Sequence, residues 1–183
     1  VVSNSGDDSI SVLRNNTISV LLRKQALLRV VGERAGDLIH LSLPDPNTIR
    51  VQVNSLTMEW PVAAISRVDV ASSDGDDTIL VDPSILLPVD AQPGKDNDTF
   101  FGGGGDDSME WSEGNDVFQG GDGMDTADYT GADPDQPQHI SLNNLPDDGA
   151  FLAGEHDNIF ADVENVKGSD GDEELAELRE LAR

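Results

Sequence analysis

A nine-residue period constrains this chain more than any other feature. From Pro93 to Asp128 it reads PGKDNDTFF, GGGGDDSME, WSEGNDVFQ and GGDGMDTAD, four contiguous units of the pattern G-G-x-G-x-D-x-U-x with U apolar. Position six is Asp98, Asp107, Asp116 and Asp125, and position eight is Phe100, Met109, Phe118 and Ala127. An earlier unit, SSDGDDTIL, sets Asp77 at six and Ile79 at eight. The intervening VDPSILLPVDAQ reads as an enlarged half-turn, with SILLPV supplying a strand and the prolines closing it. Fainter echoes are NSGDDSIS (Asp8, Ile10), GERAGDLIH (Asp37, Ile39) and GSDGDEELA, where Glu173 stands in the aspartate position.

The six residues of GGxGxD close a tight turn because glycine takes positive φ without a Cβ clash, which lets several carbonyls face one side. The remaining x-U-x is a three-residue strand whose middle side chain points inward. One unit is half a coil. Two make a full turn of a flattened parallel stack whose layers lie about 4.8 Å apart. Units n and n+2 then share an edge, which sets Asp77 beside Asp98, Asp98 beside Asp116, and Asp107 beside Asp125. Two bare carboxylates roughly 5 Å apart repel by about 1 kcal/mol at the dielectric of water and about 3 at an effective 20. A cation has to offset this at each rung. Carbonyls and carboxylates without nearby His or Cys make a hard oxygen cage, which suits Ca²⁺ better than Mg²⁺ or Zn²⁺. The U side chains bury little apolar area, so metal binding is expected to supply much of the folding energy.

Charge follows the repeat. The chain carries 11 Lys+Arg against 36 Asp+Glu, a net charge of −25, which argues against nucleic acid or an anionic membrane surface as a partner. Residues 1–67 hold seven basic and six acidic side chains, whereas residues 68–166 hold 24 acidic ones and only Lys95. No cysteine is present, so disulfides and thiolate metal sites are excluded and metal is the available staple. The longest apolar-leaning stretch, TISVLLRKQALLRVV, is broken by Arg23, Lys24 and Arg29 and is no membrane span. The chain starts at Val1 without a leader-like segment. A removed leader, another export signal or excision from a longer protein each accounts for this.

Residues 1–71 alternate apolar and polar positions in short runs: ISVLR (10–14), TISVLL (17–22), DLIHLSL (37–43), TIRVQV (48–53) and ISRVDV (65–70). With turn signals between them these read as strands. Only the C-terminal EELAELRELAR has helical spacing, with Leu175, Leu178 and Leu181 on one stripe. It is expected to form a helix covering the open end of the stack, a secretion-signal remnant being the alternative.

The glycine–aspartate units resemble the RTX (repeats-in-toxin), or hemolysin-type calcium-binding, family. The likeness is specific over residues 72–128 and extends to 172 through TADYTGA, HISL and VENVKGSDGDEEL. It implies an all-β fold, a parallel β-roll that is a calcium-stacked β-solenoid, and the β-rich N-terminal part (1–71) read from alternation is expected to be continuous with it. The calcium-binding roll spans 72–128, closing turns 129–172, and a capping helix 173–183. By the resemblance the ligands are the position-six aspartates Asp77, Asp98, Asp107, Asp116 and Asp125, with backbone oxygens of the turn including position-four Gly75, Asp96, Gly105, Gly114 and Gly123. Trp111, Ser112 and Glu113 replace the leading residues of the third copy, and Asp96 and Glu173 are further departures.

The expected role is calcium binding coupled to folding outside the cell, in one module of a larger secreted or surface protein, with no catalysis. The alternative is an accessory C-terminal domain of a secreted protease or lipase whose catalytic part lies elsewhere. No GxSxG motif appears, and His40, His139 and His156 fall in no metal-binding spacing. Asp8 and Asp37 read as ordinary β-turn residues ahead of metal ligands. Asn15 and Asn97 match a glycosylation sequon, the second inside a metal turn. A third reading, an outward ice- or carbohydrate-binding row of Thr78, Thr99, Ser108 and Thr126, is interrupted by Val117.

Overall fold

The structure is a computed structural model that describes residues 27–150 and 154–169 in full, together with the backbone strands Val2–Asn4, Ile10–Leu13, Ser19–Leu22 and Glu173–Leu175. The first three of those are β1, β2 and β3. They join β4 (Leu27–Val31), β8 (Arg67–Ala71), β10 (Val89–Gln92), β12 (Ser108–Glu110), β14 (Thr126–Asp128) and β18 (Asn165–Lys167), in that order, in one nine-stranded sheet. A seven-stranded sheet runs β17 (Asn158–Ile159), β13 (Val117–Gly121), β11 (Thr99–Gly103), β9 (Thr78–Val81), β5 (Leu38–Asp45), β6 (Thr48–Val53) and β7 (Leu56–Pro61). From β8 to β14 the chain crosses between the two sheets with every strand, and strands in the same sheet pair in parallel.

The period sets the register. Phe100 lies opposite Phe118, and Met109 opposite Ala127, each pair 18 residues apart. One inward row therefore reads Val30, Val70, Ala91, Met109, Ala127, Val166, and the facing row Val53, Ile39, Ile79, Phe100, Phe118, Ile159. All but the partly buried Val166 belong to the buried core. The Phe100 and Phe118 rings stack at 5.2 Å between centroids and 5° between planes.

The uniform parallel β-roll with a C-terminal helix is corrected on two counts. Both large sheets are mixed: β1 to β4 pair antiparallel, as do β5, β6 and β7, because tight hairpins at Asp45–Thr48 and Val53–Leu56 return the chain beside itself instead of across to the other sheet. The described residues contain no α-helix, only a 3-10 turn at Val62–Ala64. Where the helix was expected to start, Glu173–Leu175 is strand β19, paired in parallel with β15 (Gln138–Ile140), which on its other side pairs antiparallel with β16 (Gly149–Ala150). A helix of at most 11 residues is marginal alone, and the open backbone groups of β15 offer a competing partner. Residues 176–183 of that expectation lie outside the described residues. The insert's strand also starts only at the last residue of SILLPV: Ile85 is buried at the close of a turn and pairing begins at Val89.

Candidate metal centre

Four of the five repeat turns share one backbone solution, the turn at Gly105 being the exception. Position four takes positive φ at Gly75 (+110°), Asp96 (+78°), Gly114 (+156°) and Gly123 (+134°), a region open to glycine and tolerated by Asp. Neighbouring turns stack so closely that a Cβ at Gly114 would strike the carbonyl of Asp96, and one at Gly123 the carbonyl of Gly105. Position one is tight for a second reason. A Cβ at Gly102 would sit 2.7 Å from Asp107 Oδ2, and at Gly120 it would land on the carboxylate of Asp125. Glycine at one leaves room for the aspartate at six to lie across its own turn.

The aspartates form two ladders. On one edge the backbone N–H of Asp37 donates to Asp77 Oδ1 (2.6 Å), Asp77 to Asp98 (2.8 Å), Asp98 to Asp116 (2.9 Å) and Asp116 to Asp157 (2.9 Å). On the other, Val89 donates to Asp107 Oδ1 (2.8 Å), Asp107 to Asp125 Oδ1 (2.8 Å) and Asp125 to Glu164 Oε2 (2.8 Å). The structure thus brings together all three expected pairs. Asp77, Asp98, Asp107, Asp116 and Asp125 are each at most 3% exposed.

One oxygen of each carboxylate is used in its ladder; the second oxygens differ. Those of Asp77, Asp98, Asp107 and Asp125 are buried without a hydrogen-bond partner, whereas Asp116 Oδ2 accepts from the Ser112 hydroxyl (2.7 Å). No described basic side chain pairs with these groups: Lys95 bonds Glu113, Lys167 bonds Asp128, and Arg67 lies against Asp69 and Asp90. Burial, opposed by the backbone hydrogen bonds, pushes Asp98 and Asp107 up to about 8 and Asp77, Asp116 and Asp125 to about 6. A buried carboxylate with an unmet lone pair is costly, and a proton or a cation relieves it. No three carboxylate or imidazole side chains among the described residues close on one point. A hard cation between rungs would therefore take ligands from turn carbonyls as well as from the orphan oxygens, a donor set that fits Ca²⁺.

Several residues of the ladders escape the nine-residue pattern. Asp37, weighed as a turn residue, is a full rung, and both its oxygens are met by protein: Asn54 Nδ2 donates to Oδ1 and the Glu33 N–H to Oδ2. Asp157 closes the same edge, its Oδ2 accepting from the buried Tyr129 hydroxyl at 2.9 Å, and burial raises it to about 8. Position five carries a further ladder: Asn97 N–H donates to Asp76 Oδ1, Asn115 N–H to Asn97 Oδ1, and Met124 N–H to Asp106 Oδ1. The signal was present, since Asp or Asn fills position five in Asp76, Asn97, Asp106 and Asn115.

Other expectations meet local bonds. Asp96 turns its carboxylate to the Gly75 N–H (3.1 Å), and the Asn97 sequon nitrogen donates to Asp76. His40 pairs with Asp82 at 2.9 Å. The threonine row splits: Thr78, Thr99 and Val117 share one sheet, Ser108 and Thr126 the other. The Glu173 side chain and all of Asp8 lie outside the described residues. No described helix is long and apolar enough to cross a membrane. No family model, no curated protein and no solved structure matches this chain.

Proposed function

We propose that this chain is a calcium-binding module of a larger secreted or surface protein, whose repeat region completes its folding on binding Ca²⁺, consistent with its resemblance to the RTX repeats. One observation carries the reading: four aspartates at position six, Asp77, Asp98, Asp107 and Asp125, each bury an oxygen that nothing in the protein bonds. Such groups are stabilised by a divalent cation, which neutralises two carboxylates of neighbouring turns at once. Gly105 and Gly123 would contribute carbonyls on the Asp107–Asp125 edge, and Gly75, Asp96 and Gly114 on the Asp77–Asp98–Asp116 edge. Coupling to folding follows because the cage exists only when turns 18 or 21 residues apart are stacked.

Titration calorimetry with CaCl₂, MgCl₂ and ZnCl₂ tests this directly. Calcium is expected to bind with preference over magnesium and zinc and to raise the thermal midpoint by mass action. Absence of calcium binding, or preference for zinc, would overturn the assignment.

A further inference from the structure

We infer a binding site for an arginine side chain of a partner protein in the cleft beside Trp111, on the edge of the stack where β8, β10 and β12 end. The third repeat departs from its pattern here, with Trp111 at position one and Ser112 at position two. Three rungs build the cleft. Ala71, Gln92 and Glu110 lie side by side at the strand ends, and Ser73, Gly94 and Trp111 line the turns that follow. A Cβ at Gly94 (φ +109°) would strike the Ser73 carbonyl, so the floor stays bare. A hollow of about 260 Å³ is left against the indole. That is below the roughly 300–1,000 Å³ of a small-molecule site and suits a single side chain.

The indole is held in place. Trp111 packs partly against the core, and its Nε1–H donates to Glu155 Oε2 at 3.3 Å. Beside it Gln92 Nε2 donates to Glu110 Oε1 at 3.1 Å, which leaves Glu110 Oε2 and the Gln92 amide oxygen as two acceptors with no partner among the described residues. The described lysines are committed elsewhere, Lys95 to Glu113 and Lys167 to Asp128. An aromatic wall, an unpaired carboxylate and an amide oxygen, in a chain of net charge −25, favour a cationic ligand over a neutral or acidic one. A guanidinium fits this set better than an ammonium. It is planar and stacks on an indole, and its forked N–H groups reach two acceptors at once. None of the five repeat aspartates lines the cleft, so the inference stands apart from the calcium reading.

Heteronuclear NMR of the full chain in saturating calcium tests the site, with Nα-acetyl-arginine amide, its lysine counterpart and methyl β-glucoside as probes. The arginine probe is expected to shift the Trp111 indole N–H and the Gln92 side-chain amide saturably, to leave the Trp60 indole still, and to bind more tightly than the lysine probe. Glu110→Gln, a change at an exposed position, should weaken it by roughly fivefold, the equivalent of one exposed ion pair. Glu59→Gln makes the same charge change in the β6–β7 hairpin and should leave the affinity as it was. Trp111→Leu should abolish saturation; where that variant loses its dispersed amide spectrum, the comparison of the two glutamate changes decides. Equal weakening by both glutamate changes, equal binding of the lysine probe, or shifts at Trp111 from the glucoside alone would overturn the site.

Discussion

Around β4 to β6 each strand turns at least two side chains inward: Leu28 and Val30, Ile39 and Leu41, and Ile49, Val51 and Val53. Around β12 to β14 each turns one principal apolar side chain inward, Met109, Phe118 or Ala127. The polar account runs the opposite way. The early rung at Asp37 has both oxygens bonded by Asn54 and Glu33, whereas Asp98, Asp107 and Asp125 each keep one buried and bare. One region is held by apolar burial with its carboxylate satisfied by protein; the other trades core for unsatisfied charge. The comparison teaches that a shared stack can pass, within a few rungs, from carboxylates fully bonded by protein to carboxylates with one bare buried oxygen, and that the change is made in the second oxygen of each aspartate.

The largest separation is expected on chelating calcium at pH 8. Hydrogen exchange should show loss of amide protection in residues 98–128 before β5 and β6. Proton linkage sharpens it. Asp98 and Asp107 have folded pKa values near 8 against 3.8 for the ordinary group, so the calcium-free fold retains their contribution fully below about pH 4. Between there and pH 8 the folded state must hold protons that the unfolded state releases, and stability falls by up to about 1.4 kcal/mol per pH unit for each such group. Calcium should flatten this decline and release protons on binding. Equal exchange in both regions would break the comparison.

Next in size are the cores. Phe118→Ala removes half of the stacked pair from a rung with little else inside and is expected to cost about 3–5 kcal/mol, with saturating calcium restoring part of the loss. Ile39→Ala should cost about 2–5 kcal/mol, with a loss that calcium changes less. Thermal midpoints with and without calcium report both. A calcium-insensitive loss at Phe118 would show that the metal and the rung are not coupled.

Much of this division is legible in the chain because period nine fixes both the inward residue and the aspartate. Phe100 over Phe118 and Asp107 beside Asp125 follow from spacing alone. The antiparallel hairpins are less legible, since alternation in TIRVQV marks a strand without saying which neighbour it takes. Helical spacing at the C-terminus misled over Glu173–Leu175, where an available sheet edge outweighs local propensity. Glu164 and Asp157 stay hidden because their turns depart from nine residues, and Tyr129 because the proton it donates goes to an acceptor 28 residues away.

At single rungs the contrast can be tested by charge. Asp98→Asn still accepts the Asp77 N–H through its amide oxygen but removes a buried negative charge. In the absence of calcium at pH 8 it should be at least as stable as wild type, and it should gain less from calcium. Asp37→Asn alters a carboxylate already met by two donors, so it should lower stability by about 1–2 kcal/mol with an unchanged calcium response. Thermal midpoints over a calcium series separate these cases. An Asp98→Asn variant that keeps the full wild-type gain would remove Asp98 from the binding set.

The smallest and most specific effect is expected at Ser112→Gly. In the third copy Ser112 stands at position two, and its hydroxyl donates to Asp116 Oδ2 at 2.7 Å, which is why Asp116 alone among the five repeat aspartates has no bare oxygen. The serine thus meets an oxygen that, at the other rungs, the proposed cation would meet, and does so without adding charge. Removing it leaves a buried oxygen unmet, a loss of about 1–2 kcal/mol in calcium-free buffer. The same change frees that oxygen to join Asp98 across the rung, so calcium should bind this pair more tightly and recover the loss. The two curves of stability against calcium, wild type and variant, should therefore converge or cross as calcium rises. Parallel curves would mean that Ser112 fills space beside Asp116 without competing with a cation for it.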